Sequence, residues 1–287
     1  MPRLPVLACL AFLAAGCESG TLVENLVGPD DPLPTPPLVS IAHDPARCGQ
    51  ITGRVTWRGP IPLRETFLFG IPKGDGNIDI RFMPGPNYPD ITPESRAVAD
   101  AVVFLRGVDL ATARPWDLPA ARVEMKDRQI WVHQGNGGPR RVGFVRRGDA
   151  VSMKAAEPLY HILRGRGAVY FSYTFPEPDH PLTRSFDRVG RIELSSGAGY
   201  YWANADLFVD DHPYYTLTDR DGRFTLDRVP AGEVEVVVWL PGWLPGKQER
   251  DPESGLIVRM GYSPPTEVVR RVIVEAGRPV GVTVSVP

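Results

Sequence analysis

Five histidines and three cysteines limit the chemistry open to this chain of 287 residues. His43, His133, His161, His180 and His212 stand singly, none spaced from another as paired ligands on a helix or hairpin would be. Asp179-His180 and Asp210-Asp211-His212 offer carboxylate and imidazole donors for a weak metal site if folding brings the two segments together. The plainer expectation is solvated loop residues, with His212 a structural joint before Pro213. Asp219 and Asp221, with Asp210 and Asp211 close by, superficially match a calcium loop but lack its bidentate glutamate, and turn chemistry accounts for them better. Residues 135–138, GNGG, precede no helix and lack the lysine and hydroxyl of a phosphate loop, so they read as a hairpin turn. Ser195 and Ser196 lack the glycine-flanked elbow of a hydrolase nucleophile. No nucleophile, base and orienting group form a recognisable pattern, and an enzyme is not expected.

The elements that must carry these residues are strands. Gly (29) and Pro (31) make up about a fifth of the chain, which favours many short strands joined by turns over helices, and no long amphipathic helix is visible. Hydrophobic residues at 43% suffice for packed cores. A net charge of −2, with no element that concentrates Lys and Arg, argues against a nucleic-acid partner. Residues 214–241, YYTLTDRDGRFTLDRVPAGEVEVVVWLP, hold three strand-like runs and two turn signals. They read as a β-hairpin unit, with Asp221-Gly222 supplying a tight turn and residues 230–232, PAG, the next. Aromatics cluster at Tyr170, Phe171, Tyr173 and Phe175, at Tyr200, Tyr201 and Trp202, and at Tyr214 and Tyr215. If exposed, they would form a stacking platform for a sugar or peptide, although alternation along strands sends many of them into the core.

Residues 218–232, TDRDGRFTLDRVPAG, resemble the carboxypeptidase regulatory-like, or transthyretin-like, β-sandwich repeat. Residues 49–61, GQITGRVTWRGPI, resemble its first strand, and residues 101–105, AVVFL, the strand after it, with roughly forty loop-like residues between. The resemblance implies one sandwich built from residues 49–107 and 214–287, with a second β unit, 120–213, inserted in or packed on it. That unit has short β runs at 122–131, 141–144, 150–154, 168–175, 190–194 and 202–209, which suit a Greek-key barrel or sandwich. It resembles a cupredoxin-like domain: residues 147–151, RGDAV, match the strand entrance, His161 the first ligand histidine, Trp202 the tryptophan of the ligand loop, and residues 209–214, VDDHPY, the joint to the next module. The same match places Gly197 at the ligand cysteine, Tyr200 at the second histidine and Ala203 at the methionine. A type 1 copper centre needs two imidazoles and a thiolate with a weak axial thioether. Only His161 is left, a weak remnant, so no metal and no cofactor is expected. The fold class is thus all-β, an Ig/transthyretin-like sandwich with a cupredoxin-like Greek-key barrel.

Residues 1–17 have Arg3, an apolar stretch and then LAAGC, a signal peptide too short for an ordinary membrane span. The ending resembles a bacterial lipobox with Cys17 as the lipidated residue, although Ala14 stands where leucine is commoner; Glu18 after it favours the outer membrane. Residues 18–46 are a Pro-rich tether. Cys9 leaves with the signal and Cys17 carries lipid, so Cys48 alone remains, with no intramolecular disulfide, and is expected to be an inert residue at a strand entrance. The expected function is a secreted, lipid-anchored, non-catalytic binding or structural module on the outer membrane or periplasmic face of the cell envelope. It would meet the membrane through its lipid and have an envelope protein or glycan as partner. The alternatives are a copper-binding electron-transfer protein using His161, and a carbohydrate-binding module using the aromatics.

Overall fold

A computed structural model describes residues 43–72, 77–253, 255 and 257–287. The stretch read as a signal peptide, Cys17 and most of the expected tether lie outside the described residues. The chain is all-β: apart from a single 3-10 turn at Pro45–Arg47, all regular structure among the described residues is strand. The first six strands are β1 (Cys48–Trp57), β2 (Thr66–Pro72), β3 (Ile78–Pro84), β4 (Asp90–Ile91), β5 (Val98–Ala99) and β6 (Val102–Arg106). Nine more follow in the middle: β7 (Ala121–Lys126), β8 (Gln129–Gln134), β9 (Val142–Arg146), β10 (Ala150–Ala155), β11 (His161–Gly167), β12 (Phe171–Phe175), β13 (Leu182–Ser185), β14 (Gly190–Ser196) and β15 (Asn204–Asp210). The last seven are β16 (Tyr215–Leu217), β17 (Arg223–Pro230), β18 (Gly232–Leu240), β19 (Pro245–Arg250), β20 (Ile257–Tyr262), β21 (Thr266–Val274) and β22 (Pro279–Val286).

Strands from both ends of the chain build the outer sandwich. One sheet has the order β17-β1-β22 and the other β16-β6-β18-β21. In β1 the alternation of Ile51, Val55 and Trp57 with polar residues sends the apolar side chains inward, where they join Val103, Leu105, Phe224, Val236, Val238 and Val284 in one core. The middle strands form a second sandwich of sheets β13-β10-β7-β8 and β12-β11-β14-β15-β9 around a core that includes Met125, Met153, Leu163, Ile192, Leu194 and Leu207. Two parallel pairings, β7 with β10 and β9 with β15, give this unit its crossed-over connectivity.

The two sandwiches share a third cluster. Val102, Phe104, Val237 and Trp239, on the opposite face of β6 and β18 from the first core, pack on Phe144 of β9 and Phe208 of β15. Phe208 meets Trp239 edge to face at 5.2 Å, and Phe104 stacks on Tyr215 at 5.2 Å with the rings 8° from parallel. Because β6 and β18 are covered on both faces, every residue from Ala101 to Leu105 and from Val236 to Leu240 is buried.

Several sequence expectations change. Residues 214–241 do not form a hairpin unit: β16 and β18 pair with β6 in one sheet, while β17 pairs with β1 in the other. Alternation tells which side chains face the core, but a strand stacked across that core satisfies it as well as a strand paired beside it. The turn residues serve the arch instead. Asp219 accepts the N–H groups of Asp221 and Arg223 at 2.9 and 2.8 Å, and Gly222 (φ +72°) accepts the Val55 N–H, where a Cβ would lie 2.3 Å from the Val55 carbonyl oxygen. The run 122–131 is two strands folded back at Asp127-Arg128, both at positive φ (53° and 55°), the geometry of a two-residue hairpin turn, which Asp127 suits but Arg128, standing where glycine is usual, does not advertise. Strands β11 and β13 fall outside the short runs expected of the middle unit, and the loop-like stretch after β1 holds the β2–β3 and β4–β5 hairpins. Residues 135–138 do make a turn, closed by paired hydrogen bonds between Val132 and Arg140, but the strands on either side belong to different sheets. The β19–β20 hairpin sends Ile257 and Met260 into the core of the middle sandwich.

Candidate functional site

Two places on this framework gather polar and aromatic side chains: the loop between β14 and β15, and a groove along the seam of the two sandwiches. The loop begins where β14 leaves its pairing with β11. Gly197 donates its N–H to the Ile162 carbonyl at 2.7 Å, and Ser196 N–H bonds the Ala203 carbonyl at 3.1 Å, closing residues 197–202 into a tight excursion. His161, the first residue of β11, lies beside it with its ring 6.0 Å from that of Tyr200, which packs in turn on Trp202 at 5.5 Å. The fold therefore gathers His161, Tyr200 and Ala203 around one small recess, with Gly197 beside it on the same loop.

The recess does not fit a type 1 copper ion. His161 is buried and its Nε2 is 3.1 Å from the Glu157 carboxylate, which also accepts the Arg128 N–H at 2.8 Å. Burial pushes the imidazole below its usual value, outweighing the opposite pull of Glu157, so the neutral ring donates from Nε2. A Cβ at position 197 would fall 2.6 Å from Ile162 Cγ2 and 2.8 Å from Arg164 Nε, so Ile162 and Arg164 already fill the space a ligand side chain there would need. One imidazole, one phenol and an alanine do not provide the nitrogen and thiolate donors of that centre. Cys48 is buried at the entrance of β1, its Sγ 3.3 Å from the Asp44 carbonyl oxygen and 3.8 Å from His43 Nδ1, and burial raises its thiol pKa, which suits an inert residue.

The other histidines do not converge. His180 is exposed and pairs with Glu177 at 3.2 Å, while His133 meets Glu124 at 3.1 Å. His212 is not solvated: it is buried, with its ring 5.7 Å from Tyr215 and Nε2 3.7 Å from Asp210, whose carboxylate accepts the Tyr215 hydroxyl at 2.5 Å. Asp211 is taken by Arg147 at 2.9 Å. No three His, Cys, Asp or Glu side chains among the described residues are placed to hold a metal ion.

Of the two readings of the aromatics, core rather than exposed platform holds for most of them. Phe171, Phe175, Tyr201, Trp202, Tyr214 and Tyr215 are buried, Tyr173 and Tyr200 are half-buried, and only Tyr170, at 74% exposure, stands out in solvent. Strand alternation puts Phe171 and Phe175 in the middle core. Tyr214 is fully buried and structural, its hydroxyl donating to the Arg228 carbonyl at 2.9 Å and accepting the Arg114 N–H at 3.0 Å.

The seam groove was not anticipated. Two clefts of about 570 and 560 Å³ share Asn87, Asn204, Asp206 and Pro241 and so run into one another. One is walled by Tyr88, Trp131 and Arg64, the other by the 197–203 loop, Arg164, Arg166 and the β19–β20 hairpin. At its floor Arg141 is held wholly by neutral acceptors: Gln129 Oε1 at 2.8 Å, Asn204 Oδ1 at 3.1 Å, and the carbonyls of Pro86 and Trp202 at 3.3 and 3.4 Å. Its guanidinium lies 5.8 Å from the Trp131 ring centre. Beside it Asp206, buried, accepts Arg191 Nε at 2.7 Å, yet burial pushes its carboxyl up to about 6. Arg141, Arg164 and Arg166 sit on β11 and just ahead of β9. As isolated arginines in alternating strands they carry no motif, and only their shared side of the fold unites them.

No protein-family model matches the chain, and no curated protein matches it. Among solved structures, a mutant of amicyanin in its Cu(I) form aligns with 31% of this chain and 81% of its own length, at 15% identity and a TM-score of 0.25. A likeness that loose carries no argument, and the β architecture stands on the strands and cores described above.

Proposed function

We propose that this chain is a lipid-anchored, non-catalytic binding module of the cell envelope, with a cupredoxin-like unit whose ligand loop no longer serves a metal. The observation that carries the reading is the packing of Gly197: Ile162 and Arg164 fill the space that a ligand side chain would need, while an open groove lies immediately beside the same loop. Binding, rather than turnover, suits a groove whose serines, Ser195, Ser196 and Ser263, have no histidine beside them among its lining residues. The anchor rests on the sequence alone, on the apolar stretch and LAAGC ending at Cys17. Replacing Cys17 by Ser is expected to move the protein from the membrane to the soluble fraction of the producing cell; unchanged fractionation would overturn the anchor.

A further inference from the structure

The seam groove has an imbalance that the net charge of the chain hides. Seven arginines line its two halves, against five carboxylates. Three of the arginines are neutralised within the groove: Arg140 by Asp100, Arg191 by Asp206 and Glu193, and Arg259 by Glu249. Arg64, Arg141, Arg164 and Arg166 have no carboxylate partner among the described residues, and the one acid left over is Asp90. Seven guanidinium groups against five carboxylates, with four of the arginines unpaired, leave a local positive excess of two in a chain of net charge −2, and Arg141 holds its charge in a setting where burial makes a missing counter-charge costly. The planar fork of arginine matches the paired oxygens of a carboxylate as well as those of a phosphate.

The neutral lining says what carries those carboxylates. Trp131, Tyr88 and Tyr200 are half-buried, leaving ring surface on the groove for the apolar face of a sugar. Asn87, Asn204 and the serines Ser195, Ser196 and Ser263 add amides and hydroxyls of the kind that pair with sugar hydroxyls. A single small anion would leave most of two joined clefts of about 570 and 560 Å³ empty. We propose that the seam groove binds an extended acidic glycan, its rings against Trp131, Tyr88 and Tyr200 and its carboxylates on Arg64, Arg141, Arg164 and Arg166. The proposal deepens the binding reading above and rests on it.

The test uses the Cys17→Ser chain, purified from the soluble fraction, with short oligogalacturonates as probe, the fully methyl-esterified oligomers as uncharged controls, and polyglutamate as the acidic polypeptide. Saturable binding of the oligogalacturonate is expected, weakening as salt is raised, with the ester at least about tenfold weaker. Arg164→Ala with Arg166→Ala should cost about tenfold in affinity with the melting temperature unchanged, since Arg166 is exposed and Arg164 half-exposed. Trp131→Leu should weaken the glycan and leave polyglutamate, itself the poorer ligand, where it was. Lack of saturable binding, equal binding of the ester, or a double variant that binds like the wild type would overturn the proposal. Polyglutamate binding as tightly as the glycan would assign the groove to an acidic polypeptide instead. Chromatography of the glycan after incubation separates the two readings: shortened chains would sink the non-catalytic function and leave the binding site standing.

Discussion

The seal between the two sandwiches and the loop at residues 197–203 are both rich in aromatics, yet they do opposite things. At the seal, Phe104, Phe208, Tyr215 and Trp239 meet between two sheets, each removing about 150–250 Å² of surface from water. At the loop, Tyr200 and Trp202 cover the edge of one sandwich, and Tyr200 stays half-buried. The first arrangement makes the sandwiches parts of one packed body; the second buries Trp202 in the middle core and leaves part of Tyr200 open to the seam groove. An aromatic cluster in this chain therefore means stability where sheets cover it from both sides, and offers recognition surface only where the seam groove leaves a ring half open.

The largest way to break that contrast is Trp239→Ala. It should cost about 3–5 kcal/mol in denaturant unfolding, because the side chain is 2% exposed and touches the middle sandwich as well as its own sheet. A loss below about 1 kcal/mol would mean that the seal is a loose docking contact. Next comes the buried acid beside the seam. Asp206, its carboxyl raised to about 6, binds its proton more tightly folded than unfolded. Its contribution to stability is therefore greatest below the ordinary carboxylate range and is lost as pH climbs toward 6. Relative to Asp206→Asn, the wild type should lose about 2–3 kcal/mol between pH 4 and pH 7. His161 and His212, both lowered by burial, run the other way, losing stability as pH falls below the usual imidazole value, but they cancel in the difference between the two proteins.

Smaller effects are expected at the loop. Gly197→Ala should destabilise by about 1–3 kcal/mol through overpacking on Ile162 and Arg164. Copper added to the wild type should give no intense visible band, and His161→Ala should leave that blank spectrum as it is. A strong blue band lost on His161→Ala would restore the metal reading. Smallest of all, Tyr200→Phe should change stability by no more than about 0.5 kcal/mol, since the ring alone does the covering there; a drop comparable to that of Trp239→Ala would erase the distinction between seal and edge.

Much of the fold was legible because alternation is local. The inward residues of β1, β17 and β18 can be picked out in the sequence, as can the turn chemistry of Asp219 and Gly222. The unbroken runs AVVFL and VVVWL held a further signal, two-sided burial, which a period-two reading passes over. Strand partners were not legible, since β16, β17 and β18 present the same pattern whether they pair with one another or stack across a core. At the loop between β14 and β15 the cupredoxin-like resemblance singled out the gathered residues, His161, Tyr200 and Ala203, because they match marked positions of its pattern. It could not show that Ile162 and Arg164 close over Gly197, which depends on the approach of two strands.

What the sequence determined by itself, then, is the strand-rich composition, the inward faces, the glycine at position 197 and the LAAGC ending at Cys17, all properties of residue type and short spacing. The tertiary structure alone decided which sheet each strand joins, that β6 and β18 are covered on both faces, and that Arg64, Arg141, Arg164 and Arg166, up to 102 positions apart counting from 64 to 166, line one groove. Net charge averages over the chain, whereas a field depends on which charges share a surface and which are already paired, and only the fold settles that.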